Sequence, residues 1–304
     1  MAQLTYKYIT EEVKNAISYR AVKEHIKYLS SKNINLWGAK KGRYFLFQNY
    51  YIAIFKLLNN LGYCYLAKIT KPWLHLSDCS LRHNIKIIIN ILGQWGKSQL
   101  LLGTKKDWNK TSKEIKMQKY TKGSNLLMDS VDIRLWGKQS TSKKNSTWSY
   151  KCNAPGRRYQ VLTDMQPKIL KIWHGYSPKI YDGWWLESKK EWLENHLKGG
   201  IVLADCHYMW GVDNLSSVEF RVPIEKRKNR KRKFHEIEIN SNEILTKVKQ
   251  TYNNQIRNIR ARVEQPFGLI KLKWKILQDC WKEDVSLLDD FIFFVFGLYN
   301  FSLK

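Results

Sequence analysis

The stretch "NLLMDSVDIRLWG" (residues 125–137) decides the fold. Before it, apolar residues recur at helical spacing. From it onward the pattern is that of strands. Its own apolar residues fall on both faces, which marks a strand at the centre of a sheet rather than at an edge. Two acids, Asp129 and Asp132, sit inside this apolar run. An unpaired charge there is costly, so each must hold a partner or a cation.

Reading outward toward the C-terminus, the loop "KQSTSKKNST" (138–147) is followed by "WSYKCNAPGRRYQVLTDM" (148–165) and "KILKIWHGY" (168–176), expected as antiparallel neighbours. "YDGWWLESKKEWLENHLKGG" (181–200) reads as a helix with Asp182 as N-cap and the glycine pair as its stop. "IVLADCHY" (201–208) and "SVEFRVPI" (217–224) are two further strands. A long helix then runs through Glu264, with Leu245, Val248, Tyr252, Ile256, Ile259 and Val263 spaced three or four apart. Residues 124–304 thus run strand, strand, strand, helix, strand, strand, helix. That is the order of an RNase H-like α/β domain, a mixed sheet flanked by helices. Right-handed crossovers would set the first and fourth strands side by side.

Toward the N-terminus, residues 1–103 read as all-helical. "TEEVKNAISYRAVKEHIKYL" (10–29) offers Thr10 as an N-cap, "FQNYYIAIFKLLNNLG" (47–62) stops at Gly62, and "SDCSLRHNIKIIINILGQW" (77–95) follows a polar cap cluster. Three helices in a basic chain allow a helix-turn-helix DNA-binding or dimerisation region. They equally allow a bundle packed on the next domain, and the sequence leaves both open. Residues 104–123, "TKKDWNKTSKEIKMQKYTKG", are polar and basic and are expected as a linker.

The 304 residues carry 53 Lys and Arg against 26 Asp and Glu, a formal net charge of +27. So large an excess repels itself in a compact fold and points to a polyanionic partner, nucleic acid before a membrane surface. The opening "MAQLTYKYITEEV" has no apolar signal core, so a chain that is not secreted is expected. The run "FIFFVFGLYNF" (291–301) is too short to span a bilayer and reads as a buried helix. Five cysteines without a C-x-x-C pair argue against a zinc or disulfide framework, and each is expected as a small buried hydrophobe.

Three carboxylates stand where this fold collects its strand ends. Asp129 lies in the first strand, Asp205 ends the strand of "IVLAD", and Glu264 rides the late helix. Three converging carboxylates suit Mg²⁺ or Mn²⁺. Two such ions about 3.5–4 Å apart assist phosphodiester cleavage. Glu264 is the sole acid between Glu243 and Asp279. At 100° per residue, Arg257, Arg260, Glu264 and Lys271 fall within about 60° of one another. Pro266 is the obstacle to a continuous helix there. The plain alternative for Glu264 is a salt bridge to Arg260, and the two roles are compatible. For Asp182, helix capping suffices, leaving at most a supporting role. His207 lies close to Asp205, though a lone histidine is more often structural.

"KRKNRKRK" offers Lys226, Arg227, Lys228, Arg230, Lys231, Arg232 and Lys233 as a basic insert. It fits phosphate binding, nuclear localisation or a solvated loop. Such charge gives salt-dependent affinity without reading base sequence. Arg257 and Arg262 are further DNA-contacting candidates, and "KQSTSKKNSTW" (138–148) is a second candidate loop. The aromatic "WSY" and "DGWW" segments could stack on unpaired bases, but core packing is the expectation.

The segments "MDSVDIRLWG", "GYSPKIYDGWWLE", "IVLADCHY" and "IRARVEQPFGLIKLKW" resemble the DDE superfamily endonuclease domain of PIF/Harbinger-type transposases, over roughly residues 124–280. The R-x3-E-x6-K spacing at Arg260, Glu264 and Lys271 is also similar to a signature of bacterial insertion-sequence transposases, with Arg257 where those usually carry Tyr. "DSV" replaces the family's usual "DGT", and "SPKIYD" its "GSxxD". The resemblance implies a metal-binding catalytic triad of Asp129, Asp205 and Glu264, with Mg²⁺ or Mn²⁺ as cofactor. It implies DNA cleavage and strand transfer at transposon ends, with double-stranded DNA as partner. A separate Myb-like DNA-binding protein, assembly as a homo-oligomer and nuclear localisation in a eukaryote are further implications. The rivals are a domesticated DNA-binding descendant that no longer cuts, and a nuclease of RNA or DNA without transposition.

Overall fold

A chain rich in apolar runs on two periods builds two kinds of layer, and the computed structural model shows how they meet. It describes residues 6–32, 34–38, 42–136, 147–224 and 243–303. The basic insert 226–233 and nearly all of the candidate loop 138–148 lie outside the described residues.

The sheet is mixed and forms around β1 (Leu126–Arg134), which is buried on both faces as expected. β3 (Ala154–Asp164) pairs with β1 antiparallel, and β5 (Ile201–Leu203) pairs with it parallel on the other side. β2 (Trp148–Ser149) and β4 (Ile169–Ile172) share the far edge of β3, and β6 (Glu219–Arg221) lies parallel beyond β5. The order is β2-β3-β1-β5-β6 with β4 also on β3. The RNase H-like arrangement expected from the element order is therefore present, with the first and fourth expected strands adjacent.

Alternation along β1 and β3 sends side chains to two separate cores. Leu127, Val131, Ile133, Tyr159 and Val161 join a core that continues into the N-terminal helices. Leu126, Met128 and Leu162 join a smaller one with Trp173, Trp185, Leu186 and Leu193. The helices α7 (Asp182–Ser188) and α8 (Lys190–His196) cover this second face, where one helix was expected. The N-cap of α7 is Tyr181, not Asp182.

The N-terminal region is α1 (Tyr6–Ala16), α2 (Tyr19–Ser30), α3 (Arg43–Asn59), α4 (Tyr63–Leu74) and α5 (Asp78–Ser98). Its boundaries differ from expectation in instructive ways. Thr10 lies inside α1 and donates to the Lys7 carbonyl at 2.8 Å, while Ser18 caps α2. Gly62 does not end α3; Asn60 does, in the left-handed conformation (φ 52°), and Gly62 precedes α4. Asparagine tolerates that conformation through its short polar side chain. The expected linker holds α6 (Lys105–Lys113), closed by a reciprocal Thr104–Asp107 capping box. Its Trp108 is buried in the second core, so the segment packs on the sheet layer.

The last helix, α13 (Val285–Ser302), is longer than the apolar run expected as too short to span. It is long and apolar enough to cross a membrane by composition, yet 61% of it is buried inside the protein. It lies along α5 at backbone contact. A Cβ placed on Gly96 would stand 2.2 Å from the Phe293 carbonyl oxygen, and one on Gly297 would stand 2.4 Å from Gly96 Cα. Small residues at the crossing are what allow that approach. Gly96→Leu is expected to cost about 3 kcal/mol through forced separation of the helices. Thermal unfolding would reveal it as a fall in Tm of several degrees, and an unchanged Tm would show that the crossing gives way freely.

Asp289, on α13, ties that helix to the sheet. It accepts from Arg157 (3.1 Å to each carboxylate oxygen) and from Tyr159 (2.7 Å). Burial pushes its carboxyl up, but the donors Arg157, Tyr159 and His174 outweigh burial and hold it below the ordinary value. A depressed carboxylate stabilises the fold above its unfolded pKa, and that contribution is lost as pH falls through the folded value. Asp289→Asn should therefore lower stability by about 2 kcal/mol at neutral pH. The gap to wild type should close below about pH 4, as denaturant titrations at both pH values would show.

Of the cysteines, Cys206 and Cys280 are buried as expected; Cys64 and Cys79 are exposed and Cys152 lies between. Cys64 and Cys79 lie in the first turns of α4 and α5.

Candidate active site

Parallel pairing of β1 with β5 sets Leu127 opposite Leu203. Two residues further along each chain stand Asp129 and Asp205, so register alone brings them alongside on the face of Leu127. Asp205 leaves the strand and caps a short 3-10 turn, Cys206–Tyr208, accepting from the Cys206 backbone N–H at 2.6 Å.

The third carboxylate comes from the helix packed over that face. The long helix expected through Glu264 is divided: α10 (Glu243–Arg260) ends, a 3-10 turn spans Ala261–Val263, and α11 (Glu264–Lys273) begins. Pro266 explains the division. It has no N–H for the Arg262 carbonyl, and its ring clashes with a helical carbonyl four residues back. Glu264 thus opens a helix, where the dipole favours a carboxylate. Of the expected apolar stripe, Ile256 and Val263 are fully buried, Tyr252 and Ile259 partly, and Val248 is exposed. The side chain of Leu245 lies outside the described residues.

Arg260, at the last turn of α10, joins the three acids. Its Nη1 lies 2.9 Å from Asp129 Oδ2 and 3.9 Å from Asp205 Oδ2, and its Nη2 lies 3.0 Å from Glu264 Oε1. The three carboxylates thus converge on one guanidinium rather than touching one another. Burial pulls Arg260 down, but Asp129, Asp205 and Glu264 together raise it above its ordinary value. Burial dominates at Asp129 and holds its carboxyl above the ordinary value, against Lys151, Arg260 and the Ser130 N–H. At Asp205 burial is outweighed by the Cys206 donors and Arg260, so its carboxyl lies below. Two adjacent carboxylates are pushed in opposite directions, a separation characteristic of functional sites.

The oxygen donors of Asp129, Asp205 and Glu264 already meet a single cation, and their chemistry fits a hard divalent ion. A second grouping is more compact. Among the described residues, Asp205, Cys206 and His207 place one ligand atom each within 4.8 Å of one another. Cys206 Sγ there donates to Asp205 Oδ1 at 2.9 Å, so the thiol acts as a neutral donor to the carboxylate. His207 is exposed beside it.

The remaining expected residues divide. Arg257 is exposed on α10 and Arg262 half-buried in the turn below it. Lys271 is half-buried on α11, within electrostatic reach of Cys152. Asp182 is not at this site, nor does it cap a helix with its side chain. It is buried across the sheet, accepting from Gln160 Nε2 at 2.6 Å and lying 3.5 Å from Arg158 Nη1. Arg158 binds Asp132 with two hydrogen bonds, 2.7 and 3.0 Å, directly opposite it in register. Asp132, the in-strand rival of Asp129, is thereby a structural ion-pair partner. Tyr208 links the two faces: it is buried, donates to Gln160 Oε1, and feels both Asp182 and Asp129.

Lys151 was not anticipated. It turns back from the β2–β3 corner, donates to the Ser130 carbonyl (3.1 Å) and hydroxyl (3.0 Å), and is the largest charge favouring ionised Asp129. Nothing local in "WSYKC" distinguishes it from other lysines; strand pairing alone places it.

The sequence model of DDE superfamily endonucleases matches residues 128–300, more than half of the chain. No curated protein and no solved structure matches it.

Proposed function

Because the chain belongs to the DDE superfamily endonuclease family, we propose that it is a metal-dependent DNA transposase of PIF/Harbinger type. Endonuclease action on DNA is the general property of that family. Cutting at transposon ends followed by strand transfer is the specific reading. The observation that carries it is the β1–β5 register, which sets Asp129 beside Asp205 under the Arg260–Glu264 turn.

Asp129, Asp205 and Glu264 would hold Mg²⁺ or Mn²⁺, two ions in the full reading. Such ions, when bound, lower the pKa of an attacking hydroxyl and neutralise charge on the leaving oxygen. The chain's own groups do the rest. Buried Asp129 and the β5 end fix the carboxylates on rigid strands, so little reorganisation is needed as charge develops. Arg260 is poised to donate to a non-bridging phosphate oxygen once its carboxylates are engaged elsewhere. Lys151 adds positive charge beside Asp129. In the first step water oxygen attacks phosphorus, the P–O3′ bond breaks, and a 3′-hydroxyl and a 5′-phosphate result. In the second that 3′-hydroxyl attacks a target phosphorus and displaces its 3′-oxygen.

The +27 charge supports a DNA partner. We extend the reading to a nuclear homo-oligomer working with a Myb-like DNA-binding protein, and to an N-terminal helical region that contributes to DNA binding or dimerisation. The basic residues 226–233, Arg257 and Arg262 are proposed to hold phosphates.

Supercoiled plasmid with and without the element's terminal repeats tests the reading. Nicking that needs Mg²⁺ or Mn²⁺ and favours the repeats is expected. Repeat-independent nicking would replace transposition with a general nuclease. Salt-sensitive binding with no nicking in either metal would make the chain a domesticated binder.

A further inference from the structure

The aromatic "DGWW" segment divides in the structure. Trp185 is buried in the second core, whereas Trp184 is 63% exposed, Tyr181 60% and Trp210 63%. For Trp184 the expectation of core packing is wrong. The reason is helical: consecutive residues on α7 point about 100° apart, so only one of two tryptophans can face the sheet.

The helix that carries Tyr181 and Trp184 packs against the one that follows Asp205 and carries Trp210. Tyr181 and Trp184 meet edge to face at 5.5 Å. Trp210 rides α9 (Met209–Val212), which follows directly on the turn begun by Asp205. α7 and α9 touch through glycines. A Cβ on Gly183 would stand 2.9 Å from Trp210 Cβ, and one on Gly211 would stand 2.4 Å from the Gly183 carbonyl oxygen. Tyr208, buried between them, anchors the turn to Gln160. The exposed rings therefore stand on a rigid base whose other end is Asp205.

Five residues of helical turn span about 8–10 Å. Successive phosphates along a DNA strand lie about 3.4 Å apart in axial rise. Trp210 is thus within two or three nucleotides of a phosphate held at Asp205. An exposed aromatic ring there offers a face for a base that has left its stack. The net charge of +27 brings the polyanion that carries such a base.

We propose that Tyr181, Trp184 and Trp210 form a stacking surface for one or two bases unpaired beside the cut. This rests on reading the Asp129–Asp205–Glu264 site as one that cleaves DNA. The occupant is a displaced nucleobase rather than a protein, because Trp210 stands only five residues beyond Asp205 on the same turn and the +27 chain draws a polyanion to it.

The test is fluorescence anisotropy in EDTA, with a labelled matched duplex and the same duplex carrying a short unpaired bubble, alongside plasmid nicking by the same protein. Wild type is expected to bind the bubble about tenfold more tightly than the matched duplex. Trp184→Ala and Trp210→Ala should each weaken bubble binding about tenfold and leave duplex binding unchanged. Trp184→Phe and Trp210→Phe should restore most of the loss. Equal affinity of wild type for both DNAs, with nicking intact, would overturn the stacking surface alone. Equal losses on both DNAs in the alanine variants would do the same. Absence of any DNA binding by wild type would overturn this proposal and the endonuclease reading together.

Discussion

Glu264→Gln and Asp205→Asn should each abolish metal-dependent nicking, by at least about 10³-fold, while DNA affinity stays within about twofold. A loss of that size corresponds to about 4 kcal/mol of transition-state stabilisation. The carboxamides keep size and hydrogen-bonding shape but remove the charge a divalent ion requires. Glu264 is the sharper probe because its side chain is 56% exposed and its visible contact is an i,i+4 pair with Arg260. As a salt bridge alone it contributes a few tenths of a kcal/mol, and its loss would leave nicking intact. Activity surviving in Glu264→Gln would therefore return Glu264 to a surface ion pair. Asp129→Asn adds a thermodynamic signature. Burial raises the folded pKa of Asp129 above its unfolded value, so stability falls as pH rises through that interval. Removing the ionisation should leave Tm unchanged or higher at neutral pH, while nicking disappears. Functional sites commonly carry such a conflict between stability and activity.

The second large effect lies across the sheet. Arg158→Met should destabilise the protein by about 3–5 kcal/mol, the cost of leaving a buried carboxylate without its partner. Two are left here, Asp132 and Asp182, with side chains only 1% and 5% exposed. Asp182→Asn should be milder, because Gln160 and Tyr176 still face the site of the carboxylate. Urea unfolding followed by tryptophan fluorescence gives both values. The informative comparison is with activity measured well below the unfolding midpoint. If Asp182→Asn lost nicking by 10³-fold while remaining as stable as wild type, Asp182 would belong to the catalytic set, and its place across the sheet would have to be reconsidered. The expected result is a lower midpoint with activity per folded molecule retained.

The contrast between Asp129 and Asp132 shows what one strand can hide. They are three residues apart, both buried, and both held by an arginine. Odd spacing sends them to opposite faces. On one face the arginine is shared among three acids. On the other it forms a bidentate pair directly across the ladder, with Ser149 completing the shell. Alternation in the sequence was enough to separate the two. It was not enough to show that Asp182, 53 positions further on than Asp129, joins Asp132 rather than the candidate site.

Local periodicity by itself determined the sheet's central strand and the change from a helical to a strand-rich region, and the element order with right-handed crossovers set the first and fourth strands side by side. These features depend on which residues can be buried together within a single element, and that information is contiguous in the chain. It also set Asp129 and Asp205 in matching places, each two residues beyond a leucine on its strand. Only the tertiary structure decided that Arg260 reaches Asp129 and Asp205, that Lys151 folds back beside Asp129, and that Gly96 and Gly297 let α5 and α13 touch. These contacts join residues 22 to 201 positions apart. They exist because strand register and helix packing bring distant segments together, and no local pattern encodes the partner that arrives from the far end of the chain.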